Sequence, residues 1–409
     1  MNHKSAKMQI TYLFISSLII LFVGMGLFPI LPYYAAEFNA SASMVGIFFA
    51  IMYLSNGTGP MLVDWLSKRL TRKGLFVSSA VLGAPALALL GQANALWQVI
   101  ALTALVWFLG GTNLALIKVY TGLHTNKSNR GKSFSLMSLG MPLGALVGGT
   151  VVGKLVASQG YPIMFLVLAG IWLLLPLIGM FGIQEKPDSE PGAVSQQQLK
   201  DATHLGAGFY VLLGVSLLAV TSINAARLGS SLSMKALDFP TQSVANANAL
   251  SGLLAIPAIL LIGTLSDRVG RKHLLITGYL LAAGGALTLS MATQLWQFWL
   301  SAWLMMVSLS ANNGLVPALA ADMLSSKAMS RGISWLHASG SMAGVLTFAS
   351  SGYLMESLGP KVVFLATAAL PILAVIVLDR VSLAPQPTQP AATAPLIDCK
   401  SELTPSCFP

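Results

Sequence analysis

The sequence predicts an all-α membrane protein of twelve transmembrane helices arranged as two six-helix bundles. Three observations carry that prediction. Hydrophobic residues make up 55% of the chain and charged residues only 9%, against soluble averages of about 45–50% and 25%, so a polar surface cannot be assembled. The apolar runs reach the roughly 17 to 25 residues that a bilayer crossing needs. Finally, the turn Gly263-Thr264-Leu265-Ser266-Asp267-Arg268-Val269-Gly270-Arg271-Lys272 has a degraded copy in Gly59 to Arg69, and Asp64 and Asp267 lie 203 positions apart. Half the chain repeats the other half.

Lys4 and Lys7 precede an apolar run from about Ile10 to Ala36, too long for a signal-peptide core, so it reads as an uncleaved first span. Gly24, Gly26, Pro29 and Pro32 thin its outer half, where helices can approach or the span can bend. Spans two to six are expected near residues 44–64, 74–93, 96–123, 133–157 and 162–183, and spans seven to twelve near 206–231, 243–264, 273–292, 297–320, 332–355 and 360–379. The first bundle therefore takes residues 1–184 and the second 206–380. Residues 185–205 have the Pro, Ser and Gln composition of a flexible linker, and residues 381–409 that of a disordered tail.

Charge gives the expected orientation. Most of the 23 Lys and Arg fall in segments that alternate to one side, Lys154, Lys235 and Lys361 fall on the other, and Lys118 and Arg227 lie within spans. Positive residues favour the cytoplasm, which predicts a multi-pass protein of the cell inner membrane with both termini inside. The net charge of +10 is spread over short hops rather than one patch, so it does not read as a nucleic-acid surface. The two cysteines, Cys399 and Cys407, sit together in the tail and are expected as reduced thiols. A second pair of segments supports the repeat: Arg130-Gly131-Lys132-Ser133 and Arg331-Gly332-Ile333-Ser334 open spans five and eleven at an offset of 201. Parallel duplication of this kind places a site between the halves, near mid-depth.

The six-plus-six layout and the turn residues Gly263, Asp267, Arg268, Gly270, Arg271 and Lys272 resemble the major facilitator superfamily, over residues 8–380. The resemblance implies that this turn and its first-half copy, Asp64, Lys68 and Arg69, form a cytoplasmic charge relay that gates rocking of the halves. Trp65 and Ser67 depart from the family's Arg and Gly. Asp322 is expected to pair with Arg331 or with the loop cations. Span five carries Gly140-Met141-Pro142-Leu143-Gly144-Ala145-Leu146-Val147-Gly148-Gly149, which resembles the motif of the family's drug/proton antiporters. Glycines at 140, 144 and 148 clear one helix face for close packing, and Pro142 can bend the span.

Span four departs from that group. Trp107 stands where the antiporters place an intramembrane Arg, and Lys118 follows 11 residues later on nearly the same face. Glu37, Asp64, Asp267, Asp322 and Asp379 all fall near span ends, so no interior carboxylate is available as proton carrier. Two interior cations without interior acids predict a positive cavity, and an intramembrane charge marks a functional site. Arg227 shares a polar face with Asn224 and Ser231. Asn113, Asn312, Asn313 and Trp107 are polar or aromatic enough to line the path, and His337 titrates near neutral pH and is the candidate for the coupled proton. Snorkelling and helix-to-helix hydrogen bonds compete with these roles.

Catalysis has little support. Gly131-Lys132-Ser133 mimics the end of a phosphate loop, but Asn126 stands where that loop needs Gly. No set of His, Cys and acids has metal-ligand spacing, so neither a cofactor nor a metal is expected. The reading is a monomeric secondary transporter whose partners are a small-molecule substrate, protons and membrane lipid. The resemblance implies export in exchange for protons, and the two interior cations favour an anionic or zwitterionic molecule, such as a carboxylate-type siderophore or an acidic drug. Multidrug antiport, symport import and a non-transporting membrane sensor are the alternatives.

Overall fold

The computed structural model describes residues 3–67, 69–125, 136–137, 139–185, 206–324 and 326–381. Lys68, the linker, Cys399 and Cys407 lie outside the described residues, as do the side chains of Asp64, Asp267, Arg331 and His337. The described chain is helical because lipid offers no partner for backbone N–H and C=O groups, and a helix satisfies them within one segment.

Ten stretches of the described residues are long and apolar enough to cross a membrane. One of them, Gly140–Gly182, holds two crossings, because Gly160 at φ 76 breaks the helix Gly140–Trp172 and Pro162 restarts it. Counting that stretch as two and adding the less apolar helix Ser326–Leu358 gives twelve. They are α1 (His3–Leu27), α2 (Ala42–Ser67), α3 (Arg72–Leu90), α4 (Leu96–His124), the two arms α5 and α6 of Gly140–Trp172, α7 (Ala207–Ala236), α8 (Thr241–Val269), α9 (Arg271–Ser290), α10 (Leu295–Met323), α11 (Ser326–Leu358) and α12 (Pro360–Arg380). The first span is shorter than its apolar run: α1 stops at Leu27, and Pro32 opens a separate short helix, Leu31–Ala36. Pro142 falls in the first turn of the helix Gly140–Trp172, where a missing N–H is tolerated.

Each bundle has its own apolar core. Trp172, Phe76 and Phe165 are fully buried in the first, and Phe209, Tyr279 and Phe298 in the second. Polar pins sit at matching places in the repeat. Ser79 of α3 donates to Asn113 Oδ1 of α4 at 2.8 Å, while Ser216 of α7 and Tyr279 of α9 donate to Asn312 Oδ1 of α10 at 3.0 and 2.9 Å. Both asparagines therefore tie helices within a bundle.

The bundles meet along two glycine seams. A Cβ on Gly46 of α2 would lie 2.5 Å from the Phe348 carbonyl of α11, and one on Gly149 of α5 would lie 2.6 Å from the Ala245 carbonyl of α8. Gly144 and Gly148 bring α5 equally close to Leu21 and Phe22 of α1. At the end of the molecule remote from the basic loops, Tyr33 donates to the Phe239 carbonyl at 3.0 Å and Asn248 Nδ2 to the Met25 carbonyl at 2.8 Å. There too the Glu356 carboxylate of α11 accepts from the Ser43 N–H in the first turn of α2 at 2.8 Å. That bond to a helix N-terminus holds the Glu356 carboxyl below its ordinary value of 4.5. The far end is closed, and the larger cavities lie towards the basic end.

Two outcomes test this packing. Gly148→Leu forces a side chain into the Phe22 carbonyl and should lower folding stability by about 1–3 kcal/mol, whereas Gly170→Ala, with open space around it, should be near neutral; thermal unfolding of the purified protein ranks the two. The Glu356 bond contributes fully above pH 4.5 and is lost as pH falls through the lowered value. Spin labels on Asn39 and Lys361 should therefore move apart on acidification in the parent protein and be insensitive in Glu356→Gln.

Candidate functional site

The interface is lined by four open cavities that share wall residues. Pockets of about 60 and 210 Å³ share Phe28 and Arg227. The second shares Asn56 and Leu114 with a cavity of about 500 Å³, which in turn shares Met61 and Ala338 with a cavity of about 600 Å³. Both halves contribute walls, from α1, α2 and α4 on one side and α7, α8, α10 and α11 on the other.

The two intramembrane cations both line these cavities. Lys118 lines the 500 Å³ cavity beside Asn56, Gly57 and Ser341 and is open to it. Arg227 crosses from α7 into the first bundle. Its guanidinium lies 3.8 Å above the Phe28 ring, Nη2 is 4.0 Å from Met25 Sδ, and the side chain hydrogen-bonds Tyr53 of α2. Stacking on an aromatic face in a desolvated place is worth about 2 kcal/mol, which offsets part of the cost of a charge at this depth but leaves the charge itself uncancelled. Among the described lining residues of all four cavities, none is an Asp or Glu.

The remaining candidates separate by position. Trp107 lines the 210 Å³ pocket with Arg227. Asn113 and Asn312 face into their own bundles, as described above, and do not line the chamber. Asn224 is buried and absent from the lining, while Ser231 on the same helix lines the smallest pocket. Asn313 is exposed away from the four cavities. The wider cavity is apolar, with Met61, Trp335, Met342 and Leu346 in its wall.

At the basic end, Gly270 adopts φ 95, a left-handed conformation that favours glycine, and so turns the chain between α8 and α9. This directs Arg271 onto Asp322 of α10, an ion pair supplemented by the Ala318 carbonyl at 3.3 Å. Lys272 donates to the carbonyls of Asp379 and Val381 at 3.1 Å each and so caps α12. Arg268 is exposed. In the first-half copy, Arg69 stacks over Trp65 at 4.8 Å, so the tryptophan that breaks the motif supplies a partner of its own. These contacts stay within their own bundles. Among the described residues no group of three His, Cys, Asp or Glu could hold a metal ion.

Sequence reasoning missed Tyr53, Asn56, Phe28 and Asn248. Tyr53 and Asn56 are a polar pair three residues apart in the apolar α2, which is a readable signal. Phe28 and Asn248 carry none, since their roles come from the opposite bundle.

The family model of the Major Facilitator Superfamily matches residues 13–225 and 203–405. The multidrug resistance protein MdtG of Escherichia coli (strain SMS-3-5 / SECEC) is 27% identical over 266 residues, covering 61% of this chain and 64% of that protein. MdtG of E. coli O9:H4 (strain HS) is 29% identical over 267 residues with the same coverage. The chain thus spans 64% of the length of these curated relatives. In fold it is similar to a mutant of the nucleoside transporter NupG, with a TM-score of 0.72 and 14% identity over 91% of this chain and 99% of that one. A bacterial homologue of the human lysosomal transporter Spinster, inward-facing and unoccupied, gives a TM-score of 0.69 and 13% identity over 94% and 100%.

The turn geometry ranks two substitutions. Gly270→Ala places a Cβ in the left-handed region and should lower stability by about 1–2 kcal/mol, whereas Asp322→Asn removes a pair with side chains 34% and 47% exposed and should cost no more than about 1 kcal/mol. Thermal unfolding midpoints of the two variants should fall in that order.

Proposed function

The chain belongs to the Major Facilitator Superfamily, and we propose that it is a secondary active transporter that exports a small anionic or zwitterionic organic molecule from the cytoplasm in exchange for protons. One observation carries the reading: Lys118 and Arg227, on opposite bundles, line adjoining cavities that share Asn56 and Leu114, and the described walls of both hold no acid. A carboxylate or other anionic group entering that space can pair with the Arg227 guanidinium, and charge-assisted hydrogen bonds to a guanidinium are among the strongest available. A cation gains nothing there.

Alternating access follows from the seams. With the basic loops in the cytoplasm of a bacterial inner membrane, the closed far end faces outwards and the chamber widens towards the cell interior. This is the arrangement in which an exporter loads. Rocking about the glycine seams would break the Ser43–Glu356 and Tyr33–Phe239 contacts and open the chamber on the other side. The second-bundle contacts of Arg271 and Lys272 keep α9, α10 and α12 together as one moving body. His337 on α11 is the proposed proton carrier. Export rather than import is supported by the small-residue face of α5 and by the multidrug resistance named for the MdtG relatives.

A second reading, broad multidrug antiport, is favoured by the apolar wall of Met61, Trp335, Met342 and Leu346, which accommodates hydrophobic solutes of varied shape.

Transport in inverted membrane vesicles tests both. In these the lumen corresponds to the cell exterior, so an acid-inside gradient should drive accumulation of the substrate by antiport; loss of preloaded substrate under the same gradient means symport, and no movement under any gradient leaves the sensor. Lys118→Gln and Arg227→Gln should each cut uptake of anionic substrates at least tenfold, about 1.4 kcal/mol, and spare cationic dyes. Equal loss for both charge classes overturns the anion reading.

A further inference from the structure

The pocket of about 60 Å³ behind Arg227 is distinct in size from the chamber it adjoins. Organic ligands occupy pockets of about 300–1,000 Å³, so this space excludes them, yet it exceeds by several-fold the roughly 10–15 Å³ that admits a single water. We propose that it is a binding site for one small monovalent inorganic anion, chloride being the abundant anion of that size and charge, which serves as counter-ion to Arg227 when no organic substrate is present. The inference goes beyond the export reading and does not require it.

Three features of the site argue for a resident anion. Arg227 remains protonated in proteins at any physiological pH, so its charge cannot be relieved by losing a proton, and it lies on α7 nine residues before the helix end at Ala236. Its partners within the described residues are neutral: the Phe28 ring, Met25 Sδ and Tyr53. They orient the guanidinium and leave its charge intact. The acid nearest to it along α7 is Asp238, eleven residues on and so about 16 Å away along the axis, at the far end of the molecule.

The donors facing the pocket fit a single compact anion. Ser251 and Ser301 are already engaged, donating to the Asn248 and Gly285 carbonyls at 2.8 and 2.9 Å, and Asn248 Nδ2 donates to the Met25 carbonyl. Ser230 and Ser231 remain, three and four residues beyond Arg227 and so on the same face of α7, and among the described residues no partner engages either hydroxyl. One guanidinium and two hydroxyls balance one negative charge. A divalent sulfate or phosphate would leave an excess charge in a poorly solvated place, which is costly. Because Arg227 also lines the organic chamber, an arriving carboxylate competes for the same guanidinium.

The test uses the full chain, purified in detergent, with sodium chloride titrated against sodium gluconate at constant ionic strength. Chloride and bromide should raise the thermal unfolding midpoint saturably, while gluconate and sulfate should not. The response should vanish in Arg227→Gln and persist in Lys118→Gln, whose cation lies in another cavity. Should Arg227→Gln fail to fold, the double variant Ser230→Ala with Ser231→Ala keeps the guanidinium and should shift the chloride midpoint several-fold higher. An equal response to gluconate, or one unchanged in both Arg227→Gln and the double serine variant, overturns the site. Because no transport is measured, a chloride-silent protein that still exports an organic anion overturns this inference alone, and a chloride-binding protein that moves no solute overturns only the export reading.

Discussion

A positive charge that cannot leave and that, among the described residues, has no acid beside it is the constraint around which the interior is arranged. Arg227 belongs to one bundle by sequence and to the other by contact, since Phe28, Met25 and Tyr53 all come from the first half. The two bundles consequently share a charged group at the place where they must separate. Whatever neutralises that group also alters how strongly the halves hold together, which is the coupling between occupancy and conformation that a carrier requires.

Closure at the two ends uses different chemistry. The far end is held by single hydrogen bonds between bundles, among them those from Tyr33, Asn248 and Ser43. Each is worth about 1 kcal/mol net, so the closed state is favoured modestly and remains reversible. Among the described residues the basic end holds an ion pair and a carbonyl cap inside the second bundle, Arg271 with Asp322 and Lys272 with the end of α12. Polar contacts at the basic end therefore hold helices together within a half, and those at the far end join the halves.

Much of the fold was legible because the rules that produce it are local. Apolar run length, the Asp64 to Asp267 repeat and the positions of lysine and arginine require no knowledge of partners. Gly160 and Pro162 even mark the break between α5 and α6 in a stretch of otherwise unbroken hydropathy. Site residues were legible only as types. Lys118 and Arg227 stood out because a charge in lipid needs a reason, but Asn113 and Asn312 carried the same polar signal and turned inwards to Ser79, Ser216 and Tyr279. Which way an asparagine turns is decided by a hydroxyl on another helix, some 30 to 100 positions away. Phe28, Asn248 and the Ser43–Glu356 bond were invisible for the same reason.

The seams at Gly46 and Gly352 and at Gly149 and Gly252 place backbone against backbone. Surfaces without interlocking side chains can roll over one another with little change in rotamer freedom, so the proposed rocking would proceed on something like a smooth bearing. It follows that these contact lines tolerate hardly any mutational drift, since even alanine intrudes, whereas the walls between them are free to vary. Related carriers can thus diverge in cargo while conserving the same pivot.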